Sequence, residues 1–255
     1  MTAHKQGVVY TTTDGVATIT FAHPKHNCFP KKQLIALTKA ITNCAEDNNT
    51  RAILLQSDPT KAFCAGASFD ELLAVKTPKQ GKAFFMGFAT LINAMRECPK
   101  PIVGRIHGKV IGGGVGIVAA CDYTIATTAA QIRLSELAIG IGPFVIAPAV
   151  ARKIGTAALA ALALKPNAWK SSEWAAQKHL FTEVHPDFEQ ANAAAQKLAK
   201  QLAMYAPQAV AELINTLWAD TQHWAELLPK NAEISGRLLL LPETQATLKQ
   251  LKPTK

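Results

Sequence analysis

The order of strand-like and helix-like segments constrains the fold of this 255-residue chain more than any other feature. Two segments, Val8–Thr13 and Val16–Phe21, flank Asp14-Gly15, a dipeptide favoured in tight hairpin turns, and predict a β-hairpin. Pro30 then opens a segment whose apolar residues recur at helical spacing, which predicts a helix beginning near that proline. Strand periods followed at once by helical periods are typical of an α/β fold.

The alternation continues through the first half of the chain. Short apolar runs predict buried strands at Ala52–Gln56, Ile102–Ile106 and Tyr123–Thr127. Helical periodicity predicts helices within Gly81–Cys98 and at Val115–Cys121. The sequence therefore predicts several strand-helix units in succession, as expected for an α/β protein.

The C-terminal third differs from the rest of the chain. From about Thr156 it is almost wholly helical in period, and prolines interrupt it at intervals. We therefore expect an α/β core over residues 1–195 and a helical extension over residues 196–255.

Composition excludes several classes of function. No apolar run approaches the roughly 18 residues that a membrane-spanning helix needs, and the N-terminus does not resemble a secretory signal; we therefore expect a soluble, cytoplasmic protein with no membrane partner. The five cysteines are widely spaced, without a Cys-x-x-Cys pair, which argues against disulfides and a thiolate metal site. His23 and His26 form an isolated pair beside prolines, and we expect no metal there.

The net charge of +9 favours anionic partners. The basic residues occur singly or in pairs and do not alternate with aromatic residues, unlike those of a base-stacking surface. A phosphate-bearing small molecule therefore fits the pattern better than a nucleic acid.

Two glycine-bearing loops are the best candidates for a functional site. The first is AFCAGASFDEL over residues 62–72, and the second is IHGKVIGGGVG over residues 106–116, which runs from a strand into a helix. Glycines allow tight turns and close approach to a ligand, and free N–H groups at a helix start suit an oxyanion. Two such donors from separate loops would stabilise a carbonyl that becomes an enolate. Neither loop has the spacing of the common phosphate-binding patterns.

These loops resemble those of the enoyl-CoA hydratase/isomerase (crotonase) superfamily. Four segments occur in the family's order and spacing, which is more specific than any one of them: Arg51–Leu55, Ala62–Ala67, Lys100–Val103 and Gly112–Asp122. The resemblance implies an α/β fold, a crotonase-like spiral of ββα repeats with a C-terminal helical region. It also implies assembly as a homotrimer or homohexamer, with the helical extension over residues 196–255 taking part in trimerisation.

The resemblance further implies a substrate and the residues that bind it. The expected substrate is an acyl-CoA thioester, with coenzyme A as part of the substrate and no separate cofactor. The backbone N–H groups of Ala67 and Gly113 match the family's oxyanion hole for the thioester oxygen. The remaining expected substrate-binding residues flank these two positions or Glu136: Ala65, Gly66, Phe69, Gly112 and Phe144.

The chain departs from the family's hydratases at one catalytic position. Those enzymes use two glutamates on either side of the substrate; here the first position is Gly116, and the second is Glu136. A single carboxylate favours a double-bond shift, in which Glu136 removes a proton from C2 of a 3-enoyl-CoA and returns it at C4. Apolar neighbours predict that Glu136 is buried and that its pKa is raised. Gly116 reflects either room for a larger acyl group or tight helix packing.

Other functions remain open at this point. A hydratase would need a replacement for the missing group, for which Asp70 and Glu71 are the nearest acids. A branched acyl-CoA decarboxylase needs an oxyanion hole and one proton donor, without a pair of water-holding carboxylates. The positive charge also permits an RNA-binding member of the family, and a pseudo-enzyme that only binds CoA esters is a further alternative.

Overall fold

A computed structural model describes residues 6–60 and 62–251 of the chain. In this part of the chain a six-stranded sheet has the order β1-β2-β3-β4-β6-β9, and a small sheet has the order β5-β7-β8. In the large sheet only the first pair of strands is antiparallel. The strands are β1 Gly7–Thr13, β2 Val16–Ala22, β3 Ala52–Ser57, β4 Ile102–Ile106, β5 Val110–Ile111, β6 Tyr123–Thr127, β7 Gln131–Arg133, β8 Lys170–Ser171 and β9 Glu183–His185.

Helices cover both faces of the large sheet. They are α1 Lys31–Glu46, α2 Phe69–Ala74, α3 Pro78–Arg96, α4 Gly113–Ala120, α5 Ala147–Ala163, α6 Ser172–Gln177, α7 Phe188–Met204, α8 Pro207–Leu217, α9 Trp224–Leu238 and α10 Pro242–Gln250. Leu54 and Val103 on one face pack against the alanines of α7. Ile53 and Leu55 point to the opposite face and join the main core with α1 and α3, as the alternation of side chains along a strand requires.

The elements predicted in the first half of the chain are confirmed. At the hairpin turn, Asp14 and Gly15 both have positive φ (52° and 77°), as a two-residue turn of this type needs. Pro30 caps α1, whose buried face includes Leu34 and Leu37. The three predicted buried strands correspond to β3, β4 and β6.

The C-terminal third is less uniformly helical than predicted. The strands β8 and β9 lie within it, and β9 extends the large sheet by pairing with β6. These strands have two and three residues, which is too short for an alternating pattern to be recognised. The predicted boundary between residues 195 and 196 falls inside α7. The role of the extension in trimerisation stays a prediction.

The C-terminal helix α9 packs closely along α3. A β-carbon added at Gly81 of α3 would lie 2.7 Å from the α-carbon of Gly236 in α9. Two glycines at a helix crossing let the backbones approach at a distance that no side chain would allow. This contact brings α9 against the same helix that forms one wall of the cleft described below.

Over residues 6–60 and 62–251, no helix is long and apolar enough to cross a membrane. The same residues contain no group of three or more His, Cys, Asp or Glu side chains placed to hold a metal ion.

Candidate active site

The two glycine-bearing loops lie side by side. The N–H of Cys64 donates to the carbonyl of Lys109 at 3.2 Å, and the N–H of Ile111 donates to the carbonyl of Cys64 at 2.9 Å. A β-carbon added at Gly66 would lie 3.0 Å from the carbonyl oxygen of Ile111 and 3.8 Å from the nitrogen of Gly113. Backbone hydrogen bonds and a glycine at their closest approach therefore bring the predicted oxyanion positions together.

The backbone N–H of Ala67, the first predicted donor, is not used in pairing with Phe29. Phe29 pairs with this segment: its N–H donates to the carbonyl of Gly66 at 2.8 Å, and its carbonyl accepts from the N–H of Ser68 at 3.1 Å. Successive backbone groups of an extended segment point to opposite sides. The carbonyl of Gly66 and the N–H of Ser68 point towards Phe29. The N–H of Ala67 lies between them along the chain and is therefore directed away from Phe29.

The second N–H group belongs to the first residue of α4. Gly112 precedes the helix with φ 54° and ψ −123°, a conformation that favours glycine. The N–H of Gly113 then has no carbonyl one turn earlier to bind, and the positive end of the helix lies at this point. A side chain at Gly113 is excluded, since a β-carbon would lie 2.3 Å from the ring of Phe88.

A largely apolar cleft of about 820 Å³, its open mouth included, lies in front of these groups. Eight of the predicted site residues line it: Ala65, Gly66, Ala67, Phe69, Gly112, Gly113, Glu136 and Phe144. Gly116 is the one predicted site position that is not among the lining residues. The structure thus gathers these positions around one cavity, while their individual roles stay predictions.

Glu136 lies beside the proposed oxyanion hole. It begins a short 3-10 turn, Glu136–Ile139, three residues after β7. A β-carbon added at Gly112 would lie 3.0 Å from Oε1 of Glu136, so that the glycine leaves space for the carboxyl group. Oε2 of Glu136 is buried and has no hydrogen-bond partner among the described residues. An unpaired, buried carboxyl oxygen is available to a substrate.

Burial raises the pKa of Glu136 to about 7, although the backbone N–H groups of Glu136 and Ser135 oppose the shift. At neutral pH the carboxyl group is therefore present in both protonation states, which suits a group that first accepts and then donates a proton. Among the described residues that line the cleft, Glu136 is the only one with an ionisable side chain.

The structure explains why position 116 is a glycine. A β-carbon there would lie 2.4 Å from Cγ2 of Ile146, and Ile146 itself lines the cleft. Ile146 thus occupies the space into which a side chain at position 116 would extend. Tight packing, rather than room for a larger acyl group, accounts for Gly116.

The two nearby acids do not replace the missing carboxylate. Asp70 forms an exposed ion pair with Lys25. Glu71 accepts a hydrogen bond from the N–H of Lys31 at 2.7 Å. Neither residue lines the cleft.

The sequence did not indicate that the C-terminal helices form part of the cleft. Ser235 of α9 is buried and lines it. Asn231, one turn earlier, donates a hydrogen bond from Nδ2 to the carbonyl of Phe144 at 2.8 Å. The helical period of α9 indicates an apolar face but not the element that this face covers, so only the tertiary structure identifies these residues.

Comparison with known proteins agrees with this geometry. The family model for enoyl-CoA hydratase/isomerase matches residues 11–249 of the chain. The chain belongs to this family of acyl-CoA enzymes. The family membership predicted from the two glycine loops is therefore confirmed.

Relatives of the enoyl-CoA hydratase/isomerase family match to different extents. A protein of Bacillus subtilis (strain 168) named "Probable enoyl-CoA hydratase" is 28% identical over 206 residues, 80% of this chain and 79% of that protein. The mitochondrial methylglutaconyl-CoA hydratase of Homo sapiens is 30% identical over 117 residues, which are 46% of this chain and 34% of that protein. The crystal structure of enoyl-CoA hydratase from Bacillus halodurans superposes with a TM-score of 0.88, at 21% identity over 96% of this chain and 99% of that one. The crotonase-like fold predicted from the sequence is confirmed.

Proposed function

We propose that this family member shifts a double bond in an acyl-CoA thioester, with Glu136 as the single acid/base. The reaction converts a 3-enoyl-CoA into a 2-enoyl-CoA by moving one proton from C2 to C4. One observation carries the proposal: among the described residues that line the cleft, Glu136 alone is ionisable, and its pKa is about 7.

The mechanism needs only groups that this cleft contains. The thioester oxygen accepts hydrogen bonds from the N–H groups of Ala67 and Gly113, and ionised Glu136 removes a proton from C2. The resulting enolate carries its negative charge on the thioester oxygen, where each N–H donor contributes about 3 kcal/mol to the stability of the transition state. Protonated Glu136 then delivers the same proton to C4, and the enzyme returns to its initial state.

Ile146 favours isomerisation over hydration. Hydration of a 2-enoyl-CoA requires a water molecule that is oriented and activated for attack at C3. A hydrocarbon side chain occupies the space next to Gly116, where the family's hydratases have their other glutamate. A wall of this kind keeps water from the enolate, so that Glu136 can retain the proton until it reaches C4.

Hydration is the second candidate function, because the Bacillus subtilis relative is named a probable hydratase and the human relative a hydratase. In addition, Ser135 lines the cleft beside Glu136. A serine hydroxyl can bind a water molecule as donor and as acceptor. It is a much weaker base than a carboxylate at neutral pH, and we therefore expect hydration to be slower than isomerisation.

Product analysis in deuterated buffer tests the proposal. Wild type should convert 3-enoyl-CoA into 2-enoyl-CoA that has taken up less than one deuterium per turnover, because Glu136 carries the C2 proton to C4. Glu136→Gln should lower kcat by at least about 100-fold, the usual range for losing an acid/base group. Glu71→Gln is the matched control, since Glu71 lies near the site but does not line the cleft; its kcat should stay near that of wild type.

Other results would point to the alternatives. Rapid conversion of 2-enoyl-CoA into 3-hydroxyacyl-CoA, without isomerisation, would support hydration. Binding of CoA esters without turnover or proton exchange with any acyl-CoA would support a pseudo-enzyme. RNA binding that falls steeply with salt and is lost when surface lysines are replaced would support an RNA-binding protein.

A further inference from the structure

The lining of the cleft restricts the acyl groups that it can bind. From this lining we infer that the enzyme selects CoA thioesters of uncharged, apolar acyl groups and rejects those whose acyl group carries a second carboxylate. The inference rests on the proposed function, because it concerns the same cleft, and it specifies the substrate class.

The inner wall of the cleft consists of hydrocarbon. Its buried side chains come from α2, α3 and the segment before α5: Leu72, Phe85, Phe88, Ile141, Val145 and Ile146. Three residues with polar side chains line the cleft: Ser135, Glu136 and Ser235. The hydroxyl of Ser235 donates to the carbonyl of Asn231 at 3.1 Å, so its proton is already used.

No cation among the described residues lines the cleft. Two basic side chains on elements that border the cleft, Lys82 and Arg133, do not line it. On α3, Lys82 forms an ion pair with Glu233 of α9 at 2.8 Å. On β7, the guanidinium of Arg133 lies 4.7 Å from the centre of the Trp169 ring, and its buried Nε has no hydrogen-bond partner among the described residues. A carboxylate on the acyl group would therefore find no positively charged partner at the inner wall.

A carboxylate buried without a partner is strongly disfavoured. The loss of its hydration costs several kcal/mol even after the protein relaxes. Ionised Glu136 would add repulsion between like charges in the same cleft. Methylglutaconyl-CoA, for which the human relative is named, has an acyl group with such a second carboxylate, and we expect this chain to reject it.

Three CoA thioesters with the same six-carbon chain test the inference. The first is trans-3-hexenoyl-CoA, the second is trans-3-hexenedioyl-CoA, which ends in a carboxylate, and the third is the methyl ester of the second. At pH 7.5 we expect kcat/KM for isomerisation to be at least about 100-fold lower for the free acid than for hexenoyl-CoA, given the cost of an unpaired buried carboxylate. The neutral ester should recover most of the loss.

Two results would overturn the inference. Similar kcat/KM values for the acid and for hexenoyl-CoA would show that the carboxylate is accommodated. Equal rejection of the acid and its ester would show that size, rather than charge, limits the acyl group.

A binding measurement separates this inference from the proposed function. Titration calorimetry with the saturated analogues hexanoyl-CoA and adipoyl-CoA does not depend on turnover. If the protein turns over none of the enoyl-CoA substrates but binds hexanoyl-CoA at least about 100-fold more tightly than adipoyl-CoA, the isomerase proposal fails and the selectivity stands. If adipoyl-CoA binds as tightly as hexanoyl-CoA, or if neither binds, the inference is wrong.

Discussion

At the scale of single residues, the surroundings of Glu136 determine the pKa of its carboxyl group. They also determine how much this group lowers the free energy of unfolding. Gly112 leaves space for the carboxyl group, and burial raises its pKa to about 7. The sequence predicted a buried side chain here, because Glu136 precedes an apolar segment; the residue as a whole is half-buried, and its Oε2 is enclosed. The sequence could not predict that Ile146 would fill the space beside Gly116, since thirty positions separate the two residues and only the tertiary fold brings them together.

The first prediction concerns the pH dependence of catalysis. In the proposed isomerisation, Glu136 must be ionised in the free enzyme to accept a proton from C2. We therefore expect kcat/KM to rise with pH through an apparent pKa of about 7 and to level off above it. Steady-state rates between pH 5 and 9 measure this profile; an inflection near pH 4.5 would contradict the raised pKa.

The second prediction concerns stability. The pKa of Glu136 is about 7 in the folded protein and 4.5 for an ordinary glutamate, so that only the unfolded state loses this proton between those values. The contribution of Glu136 to the free energy of unfolding therefore falls as pH rises from 4.5 to 7. Glu136→Gln removes this loss and should be more stable than wild type at pH 8, by up to about 3 kcal/mol.

Urea unfolding at two pH values measures this difference. Near pH 4 both states of wild type carry the proton, and the stability gain of Glu136→Gln should largely disappear. An equal difference between the two proteins at pH 4 and pH 8 would show that the carboxyl group does not titrate as stated.

The third prediction concerns the packing of Gly116 against Ile146. Gly116→Glu places a β-carbon 2.4 Å from Cγ2 and 2.5 Å from Cβ of Ile146 and should cost about 1–3 kcal/mol, as overpacking does. In a double-mutant cycle, Ile146→Gly should offset part of this cost, with a coupling energy of at least about 1 kcal/mol. Ile146→Ala is the control: it keeps the β-carbon, and its coupling should be smaller. Additive effects with both partners would contradict the contact.

At the scale of elements, the site is built from two loop-to-helix junctions and a helix that comes much later in the chain. The sequence predicted the strand before each loop and the helix after the second, because their periods are long enough to recognise. It did not predict the six-residue helix α2 that follows the first loop, or the short strands β5, β7 and β8. Segments of two to six residues depend on neighbouring elements for their conformation, and their own residues show no clear period.

The fourth prediction concerns the crossing of α3 and α9. Gly81→Ala places a methyl group 2.7 Å from the backbone of Gly236, and the two helices must separate. We expect a loss of about 1–3 kcal/mol of stability and a higher KM, because α9 carries Ser235 into the cleft. Gly87→Ala on the same helix is the control: its methyl group meets Cδ1 of Leu34, the flexible end of a side chain. An equal effect of both substitutions would contradict the importance of the crossing.

At the scale of the whole molecule, the order of four sequence segments was sufficient to predict the fold and the family. Two of those segments, Ala62–Ala67 and Gly112–Asp122, contribute backbone to the cleft, and their glycines are recognisable in the sequence. The other two lie at strands β3 and β4. The proposed selectivity of the cleft for apolar acyl groups could not be predicted from the sequence. It depends on side chains from α2, α3, α9 and the segment before α5, which the fold brings together from distant parts of the chain.

A label-transfer experiment tests most directly whether Glu136 moves the proton by itself. The substrate is a 3-enoyl-CoA with deuterium at C2, converted in ordinary water under single-turnover conditions and analysed by mass spectrometry and NMR. If one shielded carboxyl group carries the proton, part of the deuterium will appear at C4 of the 2-enoyl-CoA product, and Glu136→Gln will form almost none of this product. Complete loss of the label to water, together with 3-hydroxyacyl-CoA as the main product, would contradict a single-base isomerase.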